Sequence, residues 1–277
     1  MKKRLLALTL GTLAMLAACS KQSPSAPSET AAEGEAPAPL RIGMDATYPP
    51  FEFVDPQGEI SGVSVELGRA IGQQLDRPVQ FQNLPFDGLI TALKSGAIDL
   101  IISSMTETEE RAQSVRFSRP YVKTGLSILA AQDAAVHRVE DLQKPGTRVA
   151  VRIGTTGESW SQSHLPDAKL IRLDSDAACV LEVINGTVEA WVYDQVSVMN
   201  YHRQHPQRTR ALLAPLREEF WAVAMRRDAP AELEQGVNAA IHTLQTEGGM
   251  ERIADQYLKP ARELMQQQGL PFVFDLD

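Results

Sequence analysis

The chain has 277 residues, with 27 basic and 35 acidic side chains and a net charge of −8. That balance gives it no electrostatic reason to seek nucleic acid or an anionic membrane surface. No cysteine or histidine cluster has metal-ligand spacing, so no metal or other cofactor is expected.

Met1-Lys2-Lys3-Arg4 is a short basic stretch, and Leu5 to Ala18 is apolar and free of charge. This order reads as a secretory signal, too short for a comfortable transmembrane helix. Leu16-Ala17-Ala18-Cys19 resembles a bacterial lipobox. The resemblance implies a signal peptide over 1–19, lipidation of Cys19 (palmitate included) and a periplasmic protein anchored to a bacterial membrane through that lipid. An ordinary signal peptide with a chance cysteine is the plainer alternative. Cleavage removes three basic and no acidic residues, leaving 24 against 35, or −11. It also leaves Cys179 as the sole free thiol, so no intramolecular disulfide is available. Cys179 sits in Ala177-Ala-Cys-Val-Leu181 and reads as a small core residue. Residues 20–39 are rich in Ser, Ala, Pro and Glu and nearly free of large apolar side chains. Such a stretch cannot offset its ordering entropy and reads as a tether.

The folded part starts at Leu40. Leu40-Arg-Ile-Gly-Met44 predicts a strand, and Leu67, Ile71 and Leu75 recur as on one helix face. Val79 to Gln82 alternates like a strand; Leu89, Ile90 and Leu93 fit a helix stopped by Ser95-Gly96. Ile98 to Ile102 is a β-branched run suited to a strand covered on both faces. Thr106 and Glu109 have capping-box spacing, which predicts a helix beginning at Thr106.

In the second half, Arg148 to Arg152 predicts a strand, and Gly154-Thr-Thr-Gly157 a turn into a helix over 158–163. Leu170 to Leu173 is a strand, Val180, Leu181 and Ile184 mark a helix stopped by Asn185-Gly186, and Val188 to Val192 is a strand ending at Tyr193-Asp194. Two closing helices follow, over 231–246 and 249–257. Strands alternating with helices predict an α/β fold with largely parallel sheets. Leu93 to Ser104 also lies over Val183 to Asp194 without a gap: helix end, glycine stop, β-branched residue, acid, strand, polar end. Two similar lobes facing each other would produce that repeat.

Ligands of open α/β sheets bind beyond the carboxyl ends of the strands. The first half offers Asp45, Tyr48, Ser103, Ser104, Thr106 and Arg111 there, and the second Arg152, Thr155, Thr156 and Asp194. An arginine with hydroxyls suits a small carboxylate, and a facing carboxylate suits an ammonium. Together they describe an amino acid.

The words Asp45-Ala-Thr-Tyr-Pro-Pro-Phe-Glu52, Gly58-Glu-Ile-Ser-Gly62, Phe86-Asp-Gly-Leu-Ile90, Ser95-Gly-Ala-Ile-Asp99, Ser103 to Arg111, Phe117-Ser-Arg-Pro-Tyr121, Gly154-Thr-Thr156 and Asp194 resemble solute-binding family 3. This is the polar amino-acid branch of the periplasmic binding proteins that serve ABC importers. The resemblance implies the two-lobe type II fold, each lobe a mostly parallel sheet flanked by helices. It implies hinge crossings near Lys123–Leu126 and Glu219–Val223. Lobe 1 then spans 40–124 and 222–277, and lobe 2 spans 125–221. It further implies a monomer that hands an amino acid to a permease and has no enzymatic activity. Arg111, helped by Ser104, Thr106 and Thr156, would clamp the ligand carboxylate. Asp194 and the backbone near Ser104 would hold the ammonium. Tyr48 and Phe86 would cover the side chain, with Asp45 and Arg152 setting selectivity.

Arg152 departs from relatives that take basic amino acids, where an apolar residue is frequent. A cation there should repel lysine or arginine unless Arg152 points to solvent or pairs with Asp45 or Glu52, while Asp45 and Arg152 could pair with a side-chain amide, so glutamine or another polar uncharged amino acid is favoured and glutamate next. Two other readings stand beside this one. A cyclohexadienyl dehydratase-like enzyme would use a carboxylate clamp and a general acid from Asp45 or Glu52, acting on arogenate or prephenate. A sensory amino-acid-binding protein would signal through a partner. Residues 261–277 run past the usual end of the family, and their apolar side chains predict packing onto a lobe.

Overall fold

Eight strands form one continuous sheet that two long antiparallel strands divide into halves. The computed structural model describes residues 37–276; the signal peptide, the greater part of the tether and Cys19 lie outside them. In chain order come β1 (Leu40–Met44), β2 (Thr47–Tyr48), β3 (Glu52–Val54), β4 (Ile60–Ser61), α1 (Val63–Gln74), β5 (Val79–Asn83), α2 (Leu89–Lys94), β6 (Leu100–Ile101), α3 (Glu109–Ala112) and β7 (Val115–Ala131). Then follow β8 (Arg148–Arg152), α4 (Thr156–His164), β9 (Lys169–Leu173), α5 (Asp176–Asn185), β10 (Ala190–Asp194), α6 (Gln195–Gln204), β11 (Thr209–Arg226), α7 (Ala231–Thr246), α8 (Gly249–Ile253) and α9 (Lys259–Gln267). The sheet order is β5-β1-β6-β11-β7-β10-β8-β9, and β2-β3-β4 form a small separate sheet. This is the two-lobe α/β fold expected, with β7 and β11 running side by side as the two crossings between lobes.

The internal repeat is physical. Gly96 (φ +76°) and Gly186 (φ +70°) end the equivalent helices α2 and α5 in the left-handed region, which glycine enters without steric cost. The acid that follows each glycine pins the neighbouring parallel strand. Asp99 accepts from the Arg41 backbone N–H (3.0 Å) and from its guanidinium (2.7 Å). Glu189 does the same for Arg148, at 2.6 Å from both groups. Four residues after each pinned arginine, at the carboxyl end of its strand, stand Asp45 and Arg152. They are therefore equivalent positions in the two lobes, and they face each other across the cleft.

Several boundaries differ from expectation. The strand expected over 98–102 shortens to Leu100–Ile101, although Ile98 and Ile102 are as buried as its core. The helix expected to start at Thr106 starts later: Thr108 is the N-cap, accepting from the Arg111 backbone N–H at 3.2 Å. The Thr106 hydroxyl is drawn instead to a buried carboxylate, Glu219. Helix α6 carried no periodic signal, because Gln195 to Met199 form an unbroken buried run instead of one apolar stripe. Among the described residues no helix is long and apolar enough to cross a membrane.

The C-terminal extension packs as its apolar residues predicted. Ala261, Met265 and Val273 are buried, the Arg262 guanidinium lies over Phe272 at 4.3 Å, and the Lys123 backbone N–H on β7 donates to the Val273 carbonyl at 2.8 Å. The tail thus touches a hinge strand. A chain ended at Gln268 exposes Val273's site and frees that N–H. We expect it to lose on the order of 2 kcal/mol of stability, measured as a lower urea midpoint at unchanged slope.

Candidate functional site

The carboxyl ends of two parallel pairs of strands, β1 with β6 and β8 with β10, converge where the lobes meet. Asp45 follows β1, Ser103 and Ser104 follow β6, Arg152 ends β8 and Asp194 ends β10. Asp45, Tyr48, Phe86, Ser103, Ser104, Thr106, Arg111, Arg152, Thr155, Thr156 and Asp194 all line one narrow cavity, together with Glu52 and Tyr193. Tyr48 is backed by an aromatic cluster behind the cavity wall: Phe51 meets Trp221 edge-on at 4.8 Å, and Tyr48 packs on both at 5.8 Å.

Many of the polar side chains there already serve the protein. Ser103 Oγ accepts the Asp45 backbone N–H at 2.9 Å. Thr155 caps α4, taking the Glu158 N–H at 3.4 Å and donating to the Arg152 carbonyl at 2.7 Å. Ser104, whose φ is +45°, donates to Glu52 Oε2 at 3.1 Å. A non-glycine residue in that region costs backbone energy, and such residues cluster at functional sites. Thr106 and Thr156 each donate to Glu219 Oε2 at 3.0 Å. A hydroxyl has one proton, so in this arrangement neither threonine donates to a ligand carboxylate as the resemblance implied.

Arg111 donates to the carbonyls of Thr106 (2.7 Å) and, across the cleft, Gly154 (3.0 Å). It stacks over Phe86 at 5.5 Å and forms no ion pair among the described residues. Burial lowers its pKa, with Glu219 and Asp194 opposing. Asp194 is the converse case. Its Oδ1 is buried without any hydrogen-bond partner among the described residues. Burial pushes its carboxyl well above the ordinary range, Glu219 and Asp176 add to the effect, and Arg111 offsets part of it. An unpaired buried carboxylate is costly unless a cation joins it.

Arg152 is held on both sides. It donates to Asp176 Oδ1 at 2.9 Å within its own lobe and to Asp45 Oδ2 across the cleft, and it stacks over Phe86 at 5.7 Å. Burial works against this cation, but Tyr193, Asp176 and Asp45 hold its pKa above the ordinary arginine value. Asp45 is equally occupied, accepting from the Thr47 hydroxyl (2.7 Å) and the Phe86 backbone N–H (3.1 Å). The row Asp45–Arg152–Asp176 carries two carboxylates around one guanidinium. Arg152 therefore does not present the bare positive charge on which the expected exclusion of lysine and arginine rested. Glu52 is sealed in the wall, where burial pushes its carboxyl up to about 8 against the lowering pull of the Ser64 and Ser104 hydroxyls.

The family-model match to bacterial extracellular solute-binding proteins, family 3, covers residues 40–260. The chain belongs to that family. It is 30% identical over 222 residues to ABC transporter arginine-binding protein 1 of Escherichia coli (strain K12), covering 79% of this chain and 90% of the relative. An ancestral arginine-binding protein solved bound to glutamine superposes with a TM-score of 0.72 at 32% identity, covering 79% of this chain and 97% of that one. The ancestral amino acid-binding protein AncCDT-1, described as a precursor of cyclohexadienyl dehydratase, has a TM-score of 0.72 at 33% identity over 79% of this chain and 95% of its own. The C-terminal tail of this family 3 member, from residue 261, lies beyond the matched span.

Three residues of the site region escaped sequence reasoning. Tyr193 was adjacent to Asp194 at a strand end, and its position after the buried run was signal enough. Asp176 reads as an ordinary acid in the first turn of a helix. Glu219, named only as the start of a hinge crossing, otherwise reads in Arg217-Glu-Glu219 as one charge of a run, with no sign of a role at the site.

Proposed function

We propose that this chain is the extracytoplasmic substrate-binding component of an ABC importer and that it binds a polar L-amino acid between its lobes. The observation that carries the reading is one cavity holding both a buried carboxylate oxygen without a partner, on Asp194, and a guanidinium without an ion pair among the described residues, on Arg111. An α-ammonium and an α-carboxylate answer these two groups together. The lobes divide as 40–124 with 222–277 against 125–221, so that closure about β7 and β11 buries the ligand and forms the surface a permease reads. Hinge closure around a ligand is well known for periplasmic binding proteins, the wider group that includes this family. One chain completes the site, which suits a monomer, and lipidated Cys19 anchors it at the membrane.

For the ligand side chain we favour a carboxamide of the glutamine type. Arg152 offers a donor and Asp45 an acceptor side by side, as an amide requires. Asp176 supports a second reading, a basic amino acid, because it leaves the Asp45–Arg152–Asp176 row with a net negative charge. The dehydratase reading draws on Glu52 as a neutral acid but, with prephenate, which has no ammonium, leaves the Asp194 oxygen unused. It predicts product from arogenate or prephenate, where we expect none.

Thermal unfolding of the unfolded-and-refolded protein against each amino acid tests these readings. Glutamine is expected to give the largest upward shift. A largest shift with arginine or lysine replaces the carboxamide by the basic side chain, and no shift with any amino acid overturns the function.

A further inference from the structure

Glu219 lies on β11 opposite Thr124 of β7, inside the hinge crossing, with its side chain fully buried. One of its oxygens, Oε2, accepts two hydroxyls at once: Thr106 at 3.0 Å and Thr156 at 3.0 Å. The other, Oε1, takes the Arg217 guanidinium. The two threonines come from opposite sides of the cleft. Thr106 sits between β6 and α3 and bridges to Trp221 of β11. Thr156 is the first residue of α4. Both line the proposed ligand cavity.

We propose that Glu219 is a positioning residue for closure, a shared acceptor that joins the two lobes at the inner end of the cleft. The inference rests on the amino-acid-binding reading and adds a role that its ligand contacts do not supply. Thr106 is carried beside β11 by the bridge to Trp221 and by the Glu107 N–H to Phe220 O bond of 2.9 Å. It keeps Glu219 when the lobes separate. Glu219 stands at the lobe 2 edge of the hinge crossing, in a stretch that these bonds tie to lobe 1, whereas Thr156 stands on α4, out in lobe 2, and reaches Glu219 when the lobes close. The Thr156 bond is thus a contact of the closed form, and breaking it leaves a buried carboxylate one donor short. A protein whose binding-competent form is fractionally populated shows an affinity scaled by that fraction. Removing the contact should therefore weaken ligand binding without touching a ligand-contacting atom of Arg111 or Asp194.

The test combines affinity with a ligand-free readout. Titration calorimetry uses the amino acid that shifts the wild-type melting temperature most. Thr156→Val and Glu219→Ala are each expected to weaken binding roughly tenfold or more. The double variant should be no weaker than the worse single one, because Glu219→Ala already removes the bond that Thr156→Val removes. Glu219→Gln keeps an acceptor oxygen and is expected to recover part of the loss. Spin labels placed on the outer faces of the two lobes report the closed fraction. Glu219→Ala should shift their distance distribution toward longer separations. Additive losses in the double variant, or unchanged affinity and unchanged distances, overturn the inference. A wild type that binds no amino acid overturns the functional reading instead, and the distance distribution still judges Glu219.

Discussion

Replacing Asp194 by asparagine is expected to weaken amino-acid binding by about a thousandfold, since removing one partner of a buried ion pair costs roughly 3–5 kcal/mol. Asparagine keeps the size and one acceptor but lacks the charge that the ammonium requires. The same substitution should leave the ligand-free protein melting no lower than the wild type. Asp194 Oδ1 makes no hydrogen bond among the described residues, and burial already drives its carboxyl toward the neutral form, so the folded protein loses nothing it was using. A drop in affinity at constant or higher stability separates a binding residue from a structural one. Calorimetry on refolded protein supplies the first number and a melting curve the second. Proton exchange gives an independent signature. If the ammonium holds Asp194 ionised in the closed cleft, binding releases protons at any pH where the ligand-free carboxyl still carries one, and the measured heat there varies with the ionisation enthalpy of the buffer. An Asp194→Asn variant that binds within tenfold of the wild type removes the ammonium from the proposed ligand.

The second large effect concerns stability and belongs to Glu52. Its carboxyl is pushed from the ordinary value of 4.5 to about 8, chiefly by burial. The sign follows from proton linkage. Between those two values the unfolded chain has released the proton that the folded chain still holds, so stability is greatest below the unfolded value and falls as pH rises toward the folded one. Above the folded value the loss is complete. Each pH unit of that window corresponds to about 1.4 kcal/mol for one group. We expect Glu52→Gln to abolish this fall, because the amide oxygen still accepts the Ser64 and Ser104 hydroxyls, which lie 2.6 and 3.1 Å from Glu52 Oε2. Relative to wild type the variant should gain on the order of 3 kcal/mol between pH 5 and pH 8, read from urea midpoints at the two pH values. Parallel curves for the two proteins would place the alkaline sensitivity elsewhere. The same neutral carboxyl is what a dehydratase would use as its acid, so the variant also serves the product assay as a control.

Much of this site could be read without coordinates, because strand ends and helix stops are local properties. A β-branched run followed by hydroxyls, as at Ile101 to Ser104, has its polar end at the carboxyl edge of a sheet whatever surrounds it. The repeat of Leu93–Ser104 in Val183–Asp194 announced two like lobes, and the Asp99–Arg41 and Glu189–Arg148 pins extend it into the neighbouring strands. Local rules failed where a side chain had two possible partners. Thr106 fitted a capping box, yet a carboxylate 113 positions away took its hydroxyl. Helix α6 was invisible because burial on more than one face erases the 3.6-residue period.

The sequence by itself determined the lobe plan, the family and the set of groups at the cleft, since these follow from hydrophobic period, turn chemistry and short motifs. Only the tertiary structure decided which of those groups pair. The Arg152–Asp45 contact joins residues 107 positions apart, and Thr156–Glu219 joins residues 63 apart. Such pairings depend on where two lobes meet and on how far side chains reach across the gap. No local periodicity encodes either. The consequence bears on function: Arg152, whose partner the sequence leaves open, is in the structure a cation shared between Asp45 and Asp176, and Coulomb attraction between neighbours inside a buried cavity outweighs the charge any one of them would show alone.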